Sequence, residues 1–255
     1  MSAWVAELGG ETLSLKALAM MFHTPALSVI QRPEDGHYFL KSSDFTSLDL
    51  VIEVWKHART LVTRMNAAGV LKFGSFQPVS VLRTVRWDAM GREEGPGYSV
   101  NWRTLGLPNE RVQAFVTYTP NKPVLHDDPG APERFALVED WVMSGQDSEV
   151  DTVCGLIVSQ ADDWRVLAFI LEIIETDLKQ GSNMEKLGWC TVSDLKLFRD
   201  TANNPKAIGT AARHGRLRRA PPPKPMTLYE AKALIRRVIS GWLEWKHKKV
   251  TSKGR

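Results

Sequence analysis

The chain has 255 residues, enough for one large domain or two small ones, and its 43% hydrophobic and 24% charged residues are an ordinary globular mixture that excludes general disorder. Its longest apolar run, around Val166 to Ile174, is broken by Glu172 and is too short to cross a bilayer, while Glu7 and Glu11 with no early basic residue are unlike a secretory signal. Two cysteines, Cys154 and Cys190, without close Cys or His partners argue against a disulfide framework or a zinc site, so reduced thiols in a cytoplasmic protein are expected; the formal net charge is +4.

Helix and strand signals alternate over the first 120 residues. Ser14 to Phe22 is a short apolar helical stretch. Ala26 to Gln31 and His37 to Ser42 flank Arg32-Pro-Glu-Asp-Gly36, which predicts a hairpin with turn residues where a turn needs them. Thr46-Ser-Leu-Asp49 has the spacing of a capping box, and Val51, Val54, Ala58, Leu61, Val62 and Met65 recur at helical steps behind it, with Asn66 to Gly69 as the predicted stop. Strands are predicted where Val79, Val81, Val85 and Trp87 take alternate positions, over Tyr98 to Trp102, and where Val112, Ala114, Val116 and Tyr118 alternate, with a loop at Gly91 to Gly97. No βαβ rhythm repeats, so the expected class is α+β: an antiparallel sheet with helices against one face, over residues 1–120.

Residues 121–131 are rich in Pro and Asp and read as a linker. His126, Asp127 and Asp128 within it carry ligand chemistry, but contiguous ligands on a loop are ordinary solvated linker, and no metal or other cofactor is expected. Residues 132–255 read as an all-α helical bundle. Pro132 opens a helix through Phe135, Val138, Trp141 and Val142. Ser159-Gln-Ala-Asp162 resembles a capping box ahead of Trp164, Leu167, Leu171, Ile174 and Leu178. Thr191-Val-Ser-Asp194 caps a helix with Leu195, Phe198 and Ala202, and Pro225-Met-Thr227 with Glu230 opens a last one through Ala231, Ile235, Val238, Trp242 and Trp245.

Charge is divided unevenly. From Lys206 onward 14 Lys and Arg face only Glu230 and Glu244, a surplus of twelve, and the preceding residues carry a deficit of eight. Such polarity suits an acidic partner, either nucleic acid with RNA favoured or an acidic protein surface, and equally suits a solvated basic tail. No membrane partner is expected, and a homodimer is an open possibility. Phosphate-cradling glycine loops, nucleophile elbows and paired metal-binding histidines are missing. Asp194-Leu-Lys196 and Glu244-Trp-Lys246 have the letters of a nuclease site but fall on helical patterns.

Of the six histidines, His214 has the most suggestive company. Arg213 precedes it, Arg199, Asn203 and Asn204 lie upstream, and Arg216, Arg218, Arg219 and Lys224 lie downstream. A helical bundle with Arg and His at the mouth of its last helix resembles the HEPN superfamily of bacterial defence and toxin proteins. "TANNP…ARHG" followed by "PMTLYEAKALI" is also similar to a widespread family of uncharacterised bacterial proteins. The HEPN resemblance implies RNA cleavage without a metal: His214 would exchange protons with the 2′-hydroxyl or the leaving oxygen, and an arginine would stabilise the phosphate. Arg199 to His214 is longer than the family's Arg-to-His spacing and Arg213 is adjacent, so convergence requires a loop. The expected catalytic set is His214, Arg213, Arg199 and Asn203, with Arg216, Arg218, Arg219 and Lys224 binding nucleic acid. Two readings stay open, an RNA-binding or RNA-cleaving protein and a non-catalytic protein-binding adaptor. A structural account of the segment also stands: Asn203-Asn204-Pro205 ends a helix, and Arg213 and His214 cap carbonyls or pair with the acidic N-terminal half.

Overall fold

The antiparallel sheet expected at the start of the chain is present. In the computed structural model, which describes residues 3–73, 76–94, 142, 147–160, 162–178, 183–213 and 220–253, β1 (Ala3–Gly9), β2 (Leu27–Gln31), β3 (Tyr38–Ser42) and β4 (Ser80–Trp87) form one sheet in the order β2-β3-β1-β4. Each pairing is antiparallel. The hairpin between β2 and β3 closes where its turn residues predict: the Arg32 amide donates to the His37 carbonyl at 2.8 Å, and Gly36 sits at φ 75°. The chain divides into two compact units, Met1–Glu139 and Asp140–Arg255. The expected linker at 121–131, the strands at 98–102 and 112–118 and the helix from Pro132 lie outside the described residues, except that Val142 is helical and buried.

Helices α1 (Thr12–Met21) and α2 (Val51–Lys72) pack on the sheet, whose face toward them carries buried Ala6, Leu8, Val29 and Leu40. The opposite face holds a smaller cluster of Val5, Phe39, Val85 and Trp87. A bulge between Glu7 and Leu8 shifts the register, so that Leu8 pairs with Val81 but Glu7 with Arg83. The odd positions of β4 therefore do not share one face as their alternation predicts: Val81 lies on the helix side, and Arg83, Val85 and Trp87 lie on the other. There buried Glu7 meets Arg83 and, at 2.8 Å, His37, while Glu93 accepts from both Arg83 and Arg32. The buried carboxylate is thus paired, as its desolvation requires.

Two expectations around α2 are corrected. Thr46 and Asp49 form no capping box; the Ser42 hydroxyl caps a 3-10 turn over Ser43–Ser47 and the Thr46 hydroxyl donates to the Ser43 carbonyl at 2.7 Å, so α2 starts only at Val51. The helix also runs past Asn66 and Gly69 to Lys72. Asn66 is buried and its amide both donates to and accepts from the Val79 backbone, at 2.8 and 2.9 Å. Gly69 is needed for packing, since a Cβ there would stand 2.7 Å from the Phe76 ring.

In the second unit the helices are α3 (Ser148–Gln160), α4 (Trp164–Leu178), α5 (Val192–Ala202), α6 (Pro205–Ile208) and α7 (Leu228–Lys253). They form the expected bundle, with α4 in contact with α3, α5 and α7. Trp164, Leu167, Leu171, Ile174 and Leu178 are all buried, and Ala231, Ile235, Val238 and Trp242 are fully so. Ser159 does not cap α4: it ends α3, with its hydroxyl donating back to the Gly155 carbonyl at 2.8 Å. No described helix is long and apolar enough to cross a membrane.

One polar network ties three of these helices. The Trp242 indole N–H donates to Asp177 at 2.8 Å, and Lys246 stands 2.7 Å from Asp147 and 3.2 Å from Asp177. Asp147 also accepts from the Val150 amide at 3.1 Å, capping α3. Burial raises the Asp147 carboxyl, but the Lys246 ammonium and the Val150 amide outweigh it and hold it below its ordinary value. A carboxylate so depressed stabilises the fold above the unfolded value of about 3.9, and that contribution is lost as the pH falls through the folded value. Lys246→Met should therefore destabilise the helical unit by about 1–2 kcal/mol near neutral pH, the scale of a charged hydrogen bond discounted for partial exposure. The deficit should shrink as the pH drops below the ordinary aspartate value, measured by denaturant unfolding of the full chain across pH. A deficit unchanged down to acid would show that Lys246 does not act through these carboxylates.

Candidate functional site

The site is built at the end of α5. Thr191 and Asp194 form the capping box expected from the sequence, the Thr191 hydroxyl accepting from the Asp194 amide at 3.0 Å and the Asp194 carboxylate from the Thr191 amide at 3.2 Å. With its start fixed, α5 buries Leu195, Phe198 and Ala202, and Phe198 lies 5.8 Å from Trp164 of α4 between ring centroids. Arg199 comes next to Phe198 around the helix and is left at its rim. The helix ends at the asparagine pair. The Asn203 amide donates to the Arg199 carbonyl at 3.1 Å, and the Asn204 side chain accepts from the Lys206 amide at 2.9 Å, opening α6 with Pro205 in its first turn.

Beyond α6 the chain reverses direction instead of running on as an open connector. Gly209 takes φ 62° and ψ −136°, a backbone conformation essentially confined to glycine, and a 3-10 turn over Gly209–Ala211 carries the chain back. The Arg213 amide then donates to the Ala202 carbonyl at 2.9 Å. One residue earlier, the buried Thr201 hydroxyl accepts from the Met226 amide at 3.1 Å, just ahead of α7. The last turn of α5 thus holds two later points of the chain by direct hydrogen bonds.

The result is a cavity of about 70 Å³ between α4 and α5, walled by Ala168, Leu171, Glu172, Glu175, Phe198, Arg199, Ala202, Asn203 and Arg213. Three of the four expected catalytic residues, Arg199, Asn203 and Arg213, meet in it. Both arginines are already engaged: Arg199 pairs with Glu175, and Arg213 stands 2.5 Å from Glu172. The Asn203 Oδ1 is buried and meets no donor among the described residues. Arg199 also lies in the final turn of α5, where a cation is favoured by the helix dipole. Chemically the arrangement offers two permanent cations for phosphate oxygens and an amide acceptor beside them.

His214, Arg216, Arg218 and Arg219 lie outside the described residues. Lys224 is exposed and is not among the cavity walls; its charge acts on Glu230, whose carboxyl is held low first by the Thr227 amide. Arg213 finds its carboxylate in α4, not in the N-terminal half. Glu172 and Glu175 are the residues sequence reasoning missed. The signal was a pair of acids three apart in the otherwise apolar run Leu171-Glu-Ile-Ile-Glu175. Among other reactive groups, burial first, then Glu185 and Asp194, push the Cys190 thiol up to about 11, so it keeps its proton at neutral pH. Cys154 is likewise buried. The described residues contain no group of three or more His, Cys, Asp or Glu placed to hold a metal.

No family model, curated protein or solved structure matches this chain, so the site's own geometry carries the functional argument.

Gly209 is where that geometry is most vulnerable. An added Cβ would meet nothing within 4 Å, so its cost comes from the backbone alone. Gly209→Ala should destabilise the protein by roughly 1–3 kcal/mol, the range for a side chain forced into such a conformation, in chemical denaturation. An alanine variant as stable as the wild type would show that the chain does not need this reversal.

Proposed function

We propose that the helical unit binds nucleic acid, RNA in preference to DNA, across the cavity between α4 and α5, and that Arg213 and His214 cleave it there. The observation that carries the reading is the meeting of Arg199, Asn203 and Arg213 in one cavity. Arg213 reaches it only because the chain doubles back after α5. Supporting it is the tethering of the basic segment. The Arg213 amide is hydrogen-bonded to the Ala202 carbonyl and the Met226 amide to the Thr201 hydroxyl, so both ends of the basic stretch in the sequence are held at the last turn of α5. Polyanion binding at such a cluster gains from counterion release.

In the proposed reaction His214 takes the proton of the 2′-hydroxyl, whose oxygen attacks the adjacent phosphorus. The bond to the 5′-oxygen breaks, that oxygen takes a proton from water, His214 returns its proton to solvent, and Arg199 and Arg213 stabilise the charge gathered on the phosphate. The products are a 2′,3′-cyclic phosphate and a 5′-hydroxyl. A second reading, a protein-binding adaptor, draws on exposed Val192 at the start of α5 and exposed Leu187 ahead of it in the chain and requires no chemistry.

Purified protein incubated with single-stranded RNA in EDTA should release fragments with 2′,3′-cyclic phosphate ends, and His214→Ala should reduce the rate by 10²-fold or more, the usual worth of a general acid or base, without loss of fold. Undiminished turnover in a folded His214→Ala protein would remove this histidine from the mechanism. Intact RNA under every condition would favour the adaptor.

A further inference from the structure

The carboxylates that hold the two arginines have a role of their own. We infer that Glu172 and Glu175 are an internal counter-ligand that occupies Arg199 and Arg213 in the free protein, and that two neighbouring phosphates of one RNA strand displace them. This rests on the RNA-binding reading and adds to it the form of ligand and the manner of its entry.

Glu172 and Glu175 stand three residues apart on α4, so they project side by side with about 5–6 Å between Cβ atoms, a spacing comparable to that of neighbouring phosphates along a strand. Each meets a different arginine, Glu172 with Arg213 and Glu175 with Arg199, so two anions already sit where a phosphodiester backbone would place two. The four side chains remain 35–46% exposed, and ion pairs that exposed hold weakly, so a competing anion can replace them. A phosphate offers a guanidinium the same planar pair of acceptors as a carboxylate. When the arginines turn to phosphate, the two carboxylates are left as like charges one turn apart and facing the ligand. The exchange therefore lowers affinity. A single anion relieves only one of the two pairs, whereas a strand relieves both at once.

The test compares the full-length wild type with a Glu172→Gln/Glu175→Gln variant. Glutamine keeps size and hydrogen-bonding capacity but removes the charge. The probe is a labelled single-stranded RNA oligonucleotide with 2′-O-methyl sugars, which cannot be cut by its own 2′-hydroxyl, and fluorescence anisotropy gives Kd. The double variant should bind roughly tenfold tighter, equivalent to about 1.4 kcal/mol, and adding Arg199→Gln and Arg213→Gln should abolish the gain. Should the double variant fail to fold by circular dichroism, Glu175→Gln alone should bind about threefold tighter, half of that effect in free energy. Binding by the wild type that is equalled or weakened in folded glutamine variants would overturn this inference and leave the RNA reading intact. Binding by neither protein would overturn both.

Discussion

The hydrogen bond from the Arg213 amide to the Ala202 carbonyl, 2.9 Å long, is the contact on which the rest of the site depends. Without it Arg213 would belong to a basic stretch passing a bundle. With it, the guanidinium is delivered to the same cavity as Arg199, against α4. The bond needs three preceding features of the sequence. Thr191 and Asp194 must fix the start of α5, the asparagine pair must end it, and Gly209 must let the backbone turn where other residues are strained. The two caps are each worth about a kilocalorie and the glycine roughly 1–3 kcal/mol, and their agreement on one path gives the reversal its definition.

Electrostatically the site is balanced in the free protein. Two arginines that never lose their charge face two glutamates on one helix turn. The pairs are too exposed to add much stability, so their value lies in position: they hold the guanidiniums over the cavity and screen them from each other. The sheet unit shows the contrasting arrangement. Glu7 there is buried, its partner Arg83 is placed by strand register and His37 stands at the end of the turn just before β3, so that charge cluster serves the fold.

Much of this architecture is legible in the sequence. Apolar steps of three and four mark α4 and α7 because one stripe of each is buried in the bundle, and the Arg32 to His37 turn is readable because proline and glycine permit few alternatives there. The misreadings have physical causes. Thr46 and Ser159 carry the letters of capping residues, but Ser42 caps first in one case and α3 runs through the other. Asn66 and Gly69 look like a helix stop, yet the asparagine amide is spent on the Val79 backbone and the glycine makes room for Phe76. The β4 alternation could not reveal the bulge at Leu82, which shows only in its pairing with β1. At the site, Arg199, Asn203 and Arg213 were identifiable by residue type. Their meeting was not, since it depends on one backbone bond across the chain reversal, and Glu172 and Glu175 were hidden within an apolar helix.

The central claim is that Arg199 and Arg213 receive one ligand together. Its most direct test tracks the side-chain Nε–H resonances of both arginines by nitrogen-edited NMR, assigned by single Arg→Lys substitutions, while single-stranded RNA is titrated into the intact protein. The account predicts that both resonances shift along one saturating curve with the same Kd. Resonances that stay in place at saturation, or an Arg213 signal that moves while Arg199 keeps its place beside Glu175, would contradict it.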